Sequence, residues 1–113
     1  VIDGSDALML SAESASGKYP FRCIQTMHEI ITEVEKSGEL YYDISLEEEF
    51  LEVPDAIAMA ASLTALKVKA KALVCLSTTG KTAILIAGSR PQVPIVAITH
   101  HLESLNRLEL VWG

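Results

Sequence analysis

One stretch in the middle of the chain, Ala72 to Ala87, places the strongest constraint on the fold and on the function. It reads ALVCLSTTGKTAILIA, which predicts an apolar strand, a polar turn and the start of a helix. Such a turn leaves backbone N–H groups without partners at the positive end of the helix dipole. These donors, the hydroxyl groups and the Lys81 ammonium favour an anion, and phosphate is the anion that we expect there.

The sequence therefore predicts a phosphate-binding turn made of six consecutive residues: Ser77, Thr78, Thr79, Gly80, Lys81 and Thr82. The same residues allow a second interpretation, in which Thr79 and Thr82 merely cap the backbone donors of the helix. A nucleoside-triphosphate P-loop is excluded, because that motif needs a glycine where Cys75 stands. The turn is too short to wrap a triphosphate, but it has room for a single phosphate group.

The elements along the chain indicate an α/β fold with a parallel sheet. Helices are predicted over 20–37, from Pro54, over Ala83–Ala87 and over Leu102–Leu108, and buried strands over Leu73–Leu76 and Ile95–Thr99. Right-handed crossovers would bring the turns after Leu76 and Thr99 to the same edge of the sheet, where ligands usually bind.

Both ends of the chain read as parts of interrupted elements. The apolar run Ala7–Ser11 is typical of a strand buried on both faces, and Leu110–Trp112 reads as the start of another strand. Residues 39–53 show no clear period and predict a connector, in which Glu47–Glu49 form a solvated acidic run. We therefore expect the chain to be a piece of a longer protein.

Composition excludes several classes of protein. The 113 residues carry a net charge of −6, and their nine basic residues form no stripe for a nucleic-acid backbone. No apolar run reaches the roughly 20 residues of a membrane helix. Cys23 and Cys75 lie far apart in apolar segments, which indicates free buried thiols of a cytosolic protein.

Other candidate residues are interpreted as structural. Ser11 and Ser14 flank Glu13 without the partners of a catalytic triad. Nothing brings Asp3, Asp6 and Glu13 together as magnesium ligands. His28 is expected to be exposed, and the pair His100–His101 is expected to be a helix cap or a surface feature, although it could touch a ligand at the sheet edge.

Two stretches resemble pyruvate kinases. DGSDALMLSAESASGKYP, from Asp3 to Pro20, resembles the family segment DG-[AST]-D-x-x-MLSGETA-x-G-x-YP. The second resemblance is to the family's C-terminal domain, where a [ST]-x-[ST]-G-[KR]-[ST] loop precedes a helix, an RP dipeptide, an APIIAVT-like strand and an LYRG-like end. The matching residues here are Leu76–Thr82, Arg90-Pro91, Val93-Pro94-Ile95, Ile98-Thr99 and Leu110–Gly113. The chain departs from these patterns at three positions: Ala12 stands for Gly, Ser14 for Thr and Trp112 for Arg.

The resemblance implies an enzyme that transfers a phosphoryl group from phosphoenolpyruvate to ADP, giving pyruvate and ATP in cytoplasmic glycolysis, with Mg²⁺ and K⁺. It implies that residues 1–38 are the last strand, loop and helix of a (β/α)8 barrel. Residues 39–113 would be an incomplete, three-layer C-terminal regulatory domain of a homotetramer. The family's catalytic residues and metal ligands lie upstream, so this piece would be inactive alone.

In that family the loop matching Ser77–Thr82 often holds the phosphate of an activator, such as fructose 1,6-bisphosphate, another sugar phosphate or a nucleoside monophosphate. Two alternatives to a regulatory piece of an enzyme stay open. One is a non-catalytic α/β sensor domain that binds a phosphorylated metabolite. The other is an oligomerisation module with a vacant loop.

Overall fold

The computed structural model describes residues 4–37 and 51–113, and the chain divides into two compact units, Val1–Leu40 and Tyr41–Gly113. Most of the predicted connector over 39–53, with Glu47–Glu49, lies outside the described residues, as does Asp3. The elements in chain order are α1 (Ala12–Ala15), α2 (Pro20–Ser37), α3 (Val53–Val68), β1 (Leu73–Leu76), α4 (Lys81–Gly88), β2 (Ile95–Ile98) and α5 (Leu102–Leu108).

The first unit contains α1 and the long helix α2. Pro20 is the first residue of α2, where its fixed φ suits a helix start and its missing N–H costs no hydrogen bond. Met27, Ile31 and Val34 are half-buried at steps of three and four residues, as the sequence predicted, whereas Ile24 on the same stripe is 50% exposed. The prediction of an amphipathic helix over 20–37 is confirmed.

The two predicted terminal strands are wrong. Residues 7–10 form no strand, and Met9 is 88% exposed, because no described strand of this unit lies beside them to complete a hydrogen-bond ladder. At the other end, the chain turns back on α5. The Leu110 N–H donates to the Arg107 carbonyl at 3.4 Å and the Val111 N–H to the Leu108 carbonyl at 3.0 Å.

In the second unit, β1 and β2 pair in parallel. The register places Leu73 opposite Ile95 and Leu76 opposite Ile98. The ladder extends one residue past β1, where the Ser77 N–H donates to the Ile98 carbonyl at 3.0 Å. Because the strands are parallel and in register, both end at the same edge of the sheet, as predicted.

One face of this sheet carries the core. Ala58 of α3, Cys75 of β1 and Ala83 and Ile86 of α4 form the buried cluster. The partly buried residues packed against it are Leu73, Leu85, Ile95, Ala97 and Leu108. Small residues at the helix positions let α3 and α4 approach closely, which agrees with the alanine-rich sequence of α3.

The opposite face of the sheet is exposed. Val74 is 65% and Leu76 78% exposed, and Val96 and Ile98 alternate with core residues along β2 in the same way. The sequence predicted strands buried on both faces, and here the helices of the unit cover one. The alternation follows from the pleat, which points successive side chains to opposite faces.

A cation–π contact lies just after the C-terminal end of α4, between Arg90 and Trp112. Arg90 has a left-handed backbone, with φ of 45°, and is only 7% exposed. Its guanidinium lies 4.8 Å from the centre of the Trp112 ring. Trp112 is one of the departures from the pyruvate kinase pattern, and a flat aromatic face is a good surface for a guanidinium.

Replacing Ile86 by Ala tests the core. Because Ile86 is 5% exposed and is part of the buried cluster, the change leaves a cavity, and we expect the free energy of unfolding to fall by about 2–4 kcal/mol. Ile57→Ala on α3, where the side chain is 63% exposed, is the matched control and should change it by less than about 1 kcal/mol. Urea unfolding of both variants measures the difference, and equal losses would contradict the assigned core.

The cysteines offer a second test, because both are free as predicted, with Cys75 buried and Cys23 half-buried. Burial raises the pKa of the Cys75 thiol, so less of the reactive thiolate is present at any pH. We expect iodoacetamide to label Cys23 first, and Cys75 to react quickly only after unfolding. Peptide mass spectrometry at successive times gives the order, which would be reversed if Cys75 were accessible.

Candidate functional site

The predicted turn begins α4 with a glycine in the left-handed conformation. Gly80 is the N-cap residue, with φ of 82° and ψ of −6°, and no side chain caps the helix. No hydrogen bond of the Thr79 or Thr82 hydroxyl occurs within the described residues. The interpretation of these threonines as caps is therefore not supported, and a glycine is required because other residues are strained at this φ.

The turn presents a run of free backbone donors. The Ser77 N–H is used in the sheet ladder, and the first backbone hydrogen bond of the helix start runs from the Ile84 N–H to the Gly80 carbonyl, at 3.1 Å. Within the described ranges, no acceptor bonds the N–H groups of residues 78–83. Thr78, Thr79, Lys81 and Thr82 are exposed, whereas Gly80 and Ala83 are buried, so an incoming anion can approach the four exposed residues.

Side chains that follow β2 hold the turn from one side through its carbonyl oxygens. The Thr99 and Ser104 hydroxyls both donate to the Thr78 carbonyl, at 3.1 and 3.0 Å. The Arg107 Nη2 donates to the Thr79 carbonyl at 3.0 Å. The common sheet edge thus joins the turn after β1 to the start of α5, as the topology predicted.

A cleft of about 440 Å³ lies between the turn and α5, lined by Thr78, Thr79, His101, Leu102, Glu103 and Ser104. His100 and His101 are exposed, and their ring centres are 4.1 Å apart. His101 is the N-cap residue of α5 but makes no side-chain cap bond; its N–H donates to the Thr99 hydroxyl at 3.2 Å. The sequence predicts a helix cap or a surface feature for this pair, and the exposed rings without a cap bond fit a surface feature.

The candidates near α1 have structural contacts. The Glu13 carboxylate accepts a hydrogen bond from the Ser11 N–H at 3.1 Å, and the Ser14 hydroxyl donates to the Ser11 carbonyl at 3.2 Å. Bonds from the backbone of Glu13 itself and of Ser11 lower the pKa of this exposed carboxyl group. These contacts shape a short helix and do not build a nucleophile–base pair. His28 is exposed, as predicted.

Sequence reasoning missed Ser104 and Arg107, which hold the turn. A signal was present, because the two polar residues are three positions apart on α5, on a stripe beside the apolar residues Leu102, Leu105 and Leu108. Polar residues at helical spacing after a strand that ends at a ligand-binding edge indicate contacts with that edge.

The second unit is an α/β domain with a parallel sheet and a turn rich in backbone N–H groups at the sheet edge, and sequence comparison identifies its family. The family model described as "Pyruvate kinase, alpha/beta domain" matches residues 55–113, which is just over half of the chain. The chain belongs to the pyruvate kinase family.

Relatives and solved structures agree with this assignment. The chain is similar to pyruvate kinase from Geobacillus stearothermophilus, with 39% identity over 116 residues, and to pyruvate kinase 2 from Synechocystis, with 37% over 113 residues. Both matches cover 100% of this chain but 20% and 19% of those proteins. The chain therefore spans about a fifth of the length of these relatives.

Two solved structures of Cryptosporidium parvum pyruvate kinase have similar folds. One has a TM-score of 0.87 and 36% identity, covering 99% of this chain and 24% of that chain. Another, solved in complex with ADP, has a TM-score of 0.81 and 36% identity, covering 99% and 23%. The fold of a pyruvate kinase α/β domain is thus shown by sequence and by structure.

Across residues 4–37 and 51–113, no helix has the length and apolar character needed to span a membrane.

Gly80 offers a direct test of the turn. An alanine Cβ at this position would lie 3.2 Å from Leu108 Cδ2 and would adopt a left-handed φ, so Gly80→Ala should lower the free energy of unfolding by about 1–2 kcal/mol. Gly88→Ala in α4 is the matched control, because nothing lies within 4 Å of its added Cβ and alanine favours the helix. We expect the control to be neutral or stabilising, by calorimetry. Equal effects of the two changes would contradict the strained turn.

Proposed function

We propose that the chain is part of a pyruvate kinase, which transfers a phosphoryl group from phosphoenolpyruvate to ADP and produces pyruvate and ATP. The observation that carries this proposal is the similarity of the whole chain to proteins named pyruvate kinase. Its own role is to bind an effector and to contribute to oligomerisation, and the catalytic groups are supplied by other parts of the enzyme.

The two compact units support a division of this role. Residues 1–38 are proposed to be the last segment of the catalytic barrel, and residues 39–113 an incomplete regulatory domain. The boundary between the units, at Leu40 and Tyr41, falls two residues from this division. The absence of a strand at 7–10 in this chain agrees with the need of a barrel strand for paired neighbours on both sides.

The proposed effector site is the turn formed by Ser77, Thr78, Thr79, Gly80, Lys81 and Thr82. Its free amides and the dipole of α4, an eight-residue helix, favour a phosphate group, and the exposed Lys81 adds a positive charge. A sugar phosphate, such as fructose 1,6-bisphosphate, or a nucleoside monophosphate has the required group. The remainder of such a ligand needs further contacts, since this turn suits a single phosphate.

Pyruvate kinase chemistry is expected to use Mg²⁺ and K⁺, which supply charge neutralisation for the transferred phosphoryl group when bound. Among residues 4–37 and 51–113, no three His, Cys, Asp or Glu side chains lie close enough to hold a metal ion. The described residues do not fit such an ion.

We also propose that the full-length protein is a cytoplasmic homotetramer.

A sensor domain that binds a phosphorylated metabolite without catalysis is the second candidate. The amide-rich turn supports it as well as it supports the regulatory role, because the turn requires no catalytic partner. A structural oligomerisation module with a vacant loop is the third. The three differ in whether activity and a response to phosphate compounds occur in the full-length protein.

Phosphoenolpyruvate saturation of the full-length protein tests the proposal. A coupled assay is run with and without fructose 1,6-bisphosphate, other sugar phosphates and AMP, on the wild type and on Lys81→Ala. We expect one compound to lower the half-saturating phosphoenolpyruvate concentration in the wild type, and Lys81→Ala to lose most of this response because the phosphate loses its cation. Lys71→Ala, an exposed lysine before β1, is the matched control and should respond as the wild type does.

Three other outcomes would each reject part of the proposal. Activity without any response would reject the effector site and leave the enzyme assignment in place. A full response in Lys81→Ala would place the effector elsewhere. No activity in the full-length protein would reject the enzyme and favour the sensor.

A further inference from the structure

The backbone turns sharply after α4, at Arg90. This residue follows the C-cap residue Ser89, and its N–H donates to the Ala87 carbonyl at 2.9 Å. Its φ of 45° is left-handed, and glycine suits such a position best, because a residue with a Cβ is strained there. The turn alone therefore gives no reason for an arginine, and the reason has to lie in the side chain.

The Arg90 side chain is buried, which is costly for a group that is always charged. The residue is 7% exposed, and its guanidinium carbon lies 4.8 Å from the centre of the ring of Trp112, a half-buried residue. An aromatic face attracts a cation, and the attraction is stronger where water is excluded. A guanidinium suits this position, because it is flat and holds its water less tightly than an ammonium group.

Lys69 shows that a left-handed residue at a helix end needs no such contact. It is the C-cap residue of α3, with φ of 53°, and it is exposed. Its N–H donates to carbonyls of the preceding turn, as the N–H of Arg90 does. The two helix ends thus share a backbone form, and the buried aromatic contact distinguishes Arg90.

Trp112 belongs to a short segment, Leu110–Gly113, which we call the strap. The first two N–H groups of the strap donate to carbonyls of the last turn of α5, at 3.4 and 3.0 Å. The strap also contacts β2, because a Cβ added to Gly113 would lie 3.0 Å from the Ile95 Cβ. The strap therefore runs from α5 to β2, and Arg90 joins it to the end of α4.

The last turn of α5 connects the strap with the edge of the sheet. Leu108 packs against the core, and its Cδ2 would lie 3.2 Å from a Cβ added at Gly80. The preceding residue, Arg107, donates to the Thr79 carbonyl at 3.0 Å. Because the strap starts directly after this turn of α5, the position of the strap constrains the residues that contact the sheet edge.

We propose that Arg90 and Trp112 form a clasp, which holds the strap against the end of α4 and thereby fixes α5 on the sheet. With the clasp closed, Leu108 and Arg107 hold α5 near the start of α4, and the strap holds it at the end of α4. With the clasp open, α5 loses the second of these attachments. The clasp requires no ligand at the turn after β1.

Residue 112 makes the clasp a feature of this chain and not of the pyruvate kinase pattern. That pattern has an arginine where Trp112 stands. An arginine there would bring a second positive charge toward Arg90, and attraction would become repulsion. The aromatic residue and the buried guanidinium therefore depend on each other.

Hydrogen exchange of the full-length protein, followed by mass spectrometry of its peptides, tests the clasp. We expect Trp112→Ala to raise exchange rates in the strap and in the last turn of α5 about five- to thirtyfold, because a desolvated cation–π contact is lost. Trp112→Arg should raise them at least as much. Peptides from β1 should exchange as in the wild type, which also verifies that the domain is folded.

Further variants separate the cation–π contact from simple packing. Trp112→Phe keeps an aromatic face and should raise exchange less than Trp112→Ala does. Trp112→Leu keeps apolar volume without such a face and should behave like Trp112→Ala. In the double variant Arg90→Ala/Trp112→Ala, exchange should be slower than the product of the two single effects predicts, because both changes remove the same contact.

A matched pair of glycine variants tests the role of the Arg90 side chain. Arg90→Gly relieves the left-handed backbone but removes the guanidinium, so exchange in the strap and in the last turn of α5 should become faster. Lys69→Gly makes the same backbone change at an exposed helix end that has no clasp. Exchange around residue 69 should be unchanged or slower in this control.

Any one of three results would overturn the clasp. Faster exchange confined to residues 110–113 would mean that the contact is local and does not hold α5. Exchange at the wild-type rate in Trp112→Leu would reduce the contact to packing. Single effects that multiply in the double variant would mean that Arg90 and Trp112 do not act together.

Discussion

The parallel pairing of β1 and β2 is the interaction on which the candidate site depends. With Leu76 opposite Ile98, both strands end at one edge of the sheet, and the turn after β1 meets the residues after β2. An antiparallel pair would place these two junctions at opposite ends. The hydrogen bonds from Thr99, Ser104 and Arg107 to the turn all follow from this register, as does the contact of Gly80 with Leu108.

The core explains why this pairing is held in place. Cys75 and Ala97 are opposite one another in the register and face the helices, where Ala58, Ala83 and Ile86 cover them. A slip of one residue would turn these side chains to the other face, and the cluster would be lost. The register is therefore specified by packing on one face of the sheet. The edge at which the turn lies is set by the same contacts.

The exposed face of the sheet is one difference between the sequence prediction and the structure. A run such as Leu-Val-Cys-Leu is apolar at every position and predicts burial on both sides, but the described helices of this unit pack on one side. A second constraint explains the missing strand at residues 7–10 and the turn at Leu110–Trp112. Apolar residues favour a strand, but a strand exists only where a neighbouring backbone accepts its hydrogen bonds.

By itself, the sequence determined what depends on local chemistry. The bounds of α2, β1 and α5, and those of β2 to within one residue, follow from periodicity, Pro20 and short apolar runs. The six-residue turn follows from its glycine, hydroxyls and lysine. The motifs pointed to the pyruvate kinase family, which comparison confirmed. Only the tertiary structure decided which side chains hold the turn. Ser104 and Arg107 are more than twenty residues away in the chain and meet the turn only once the sheet has formed.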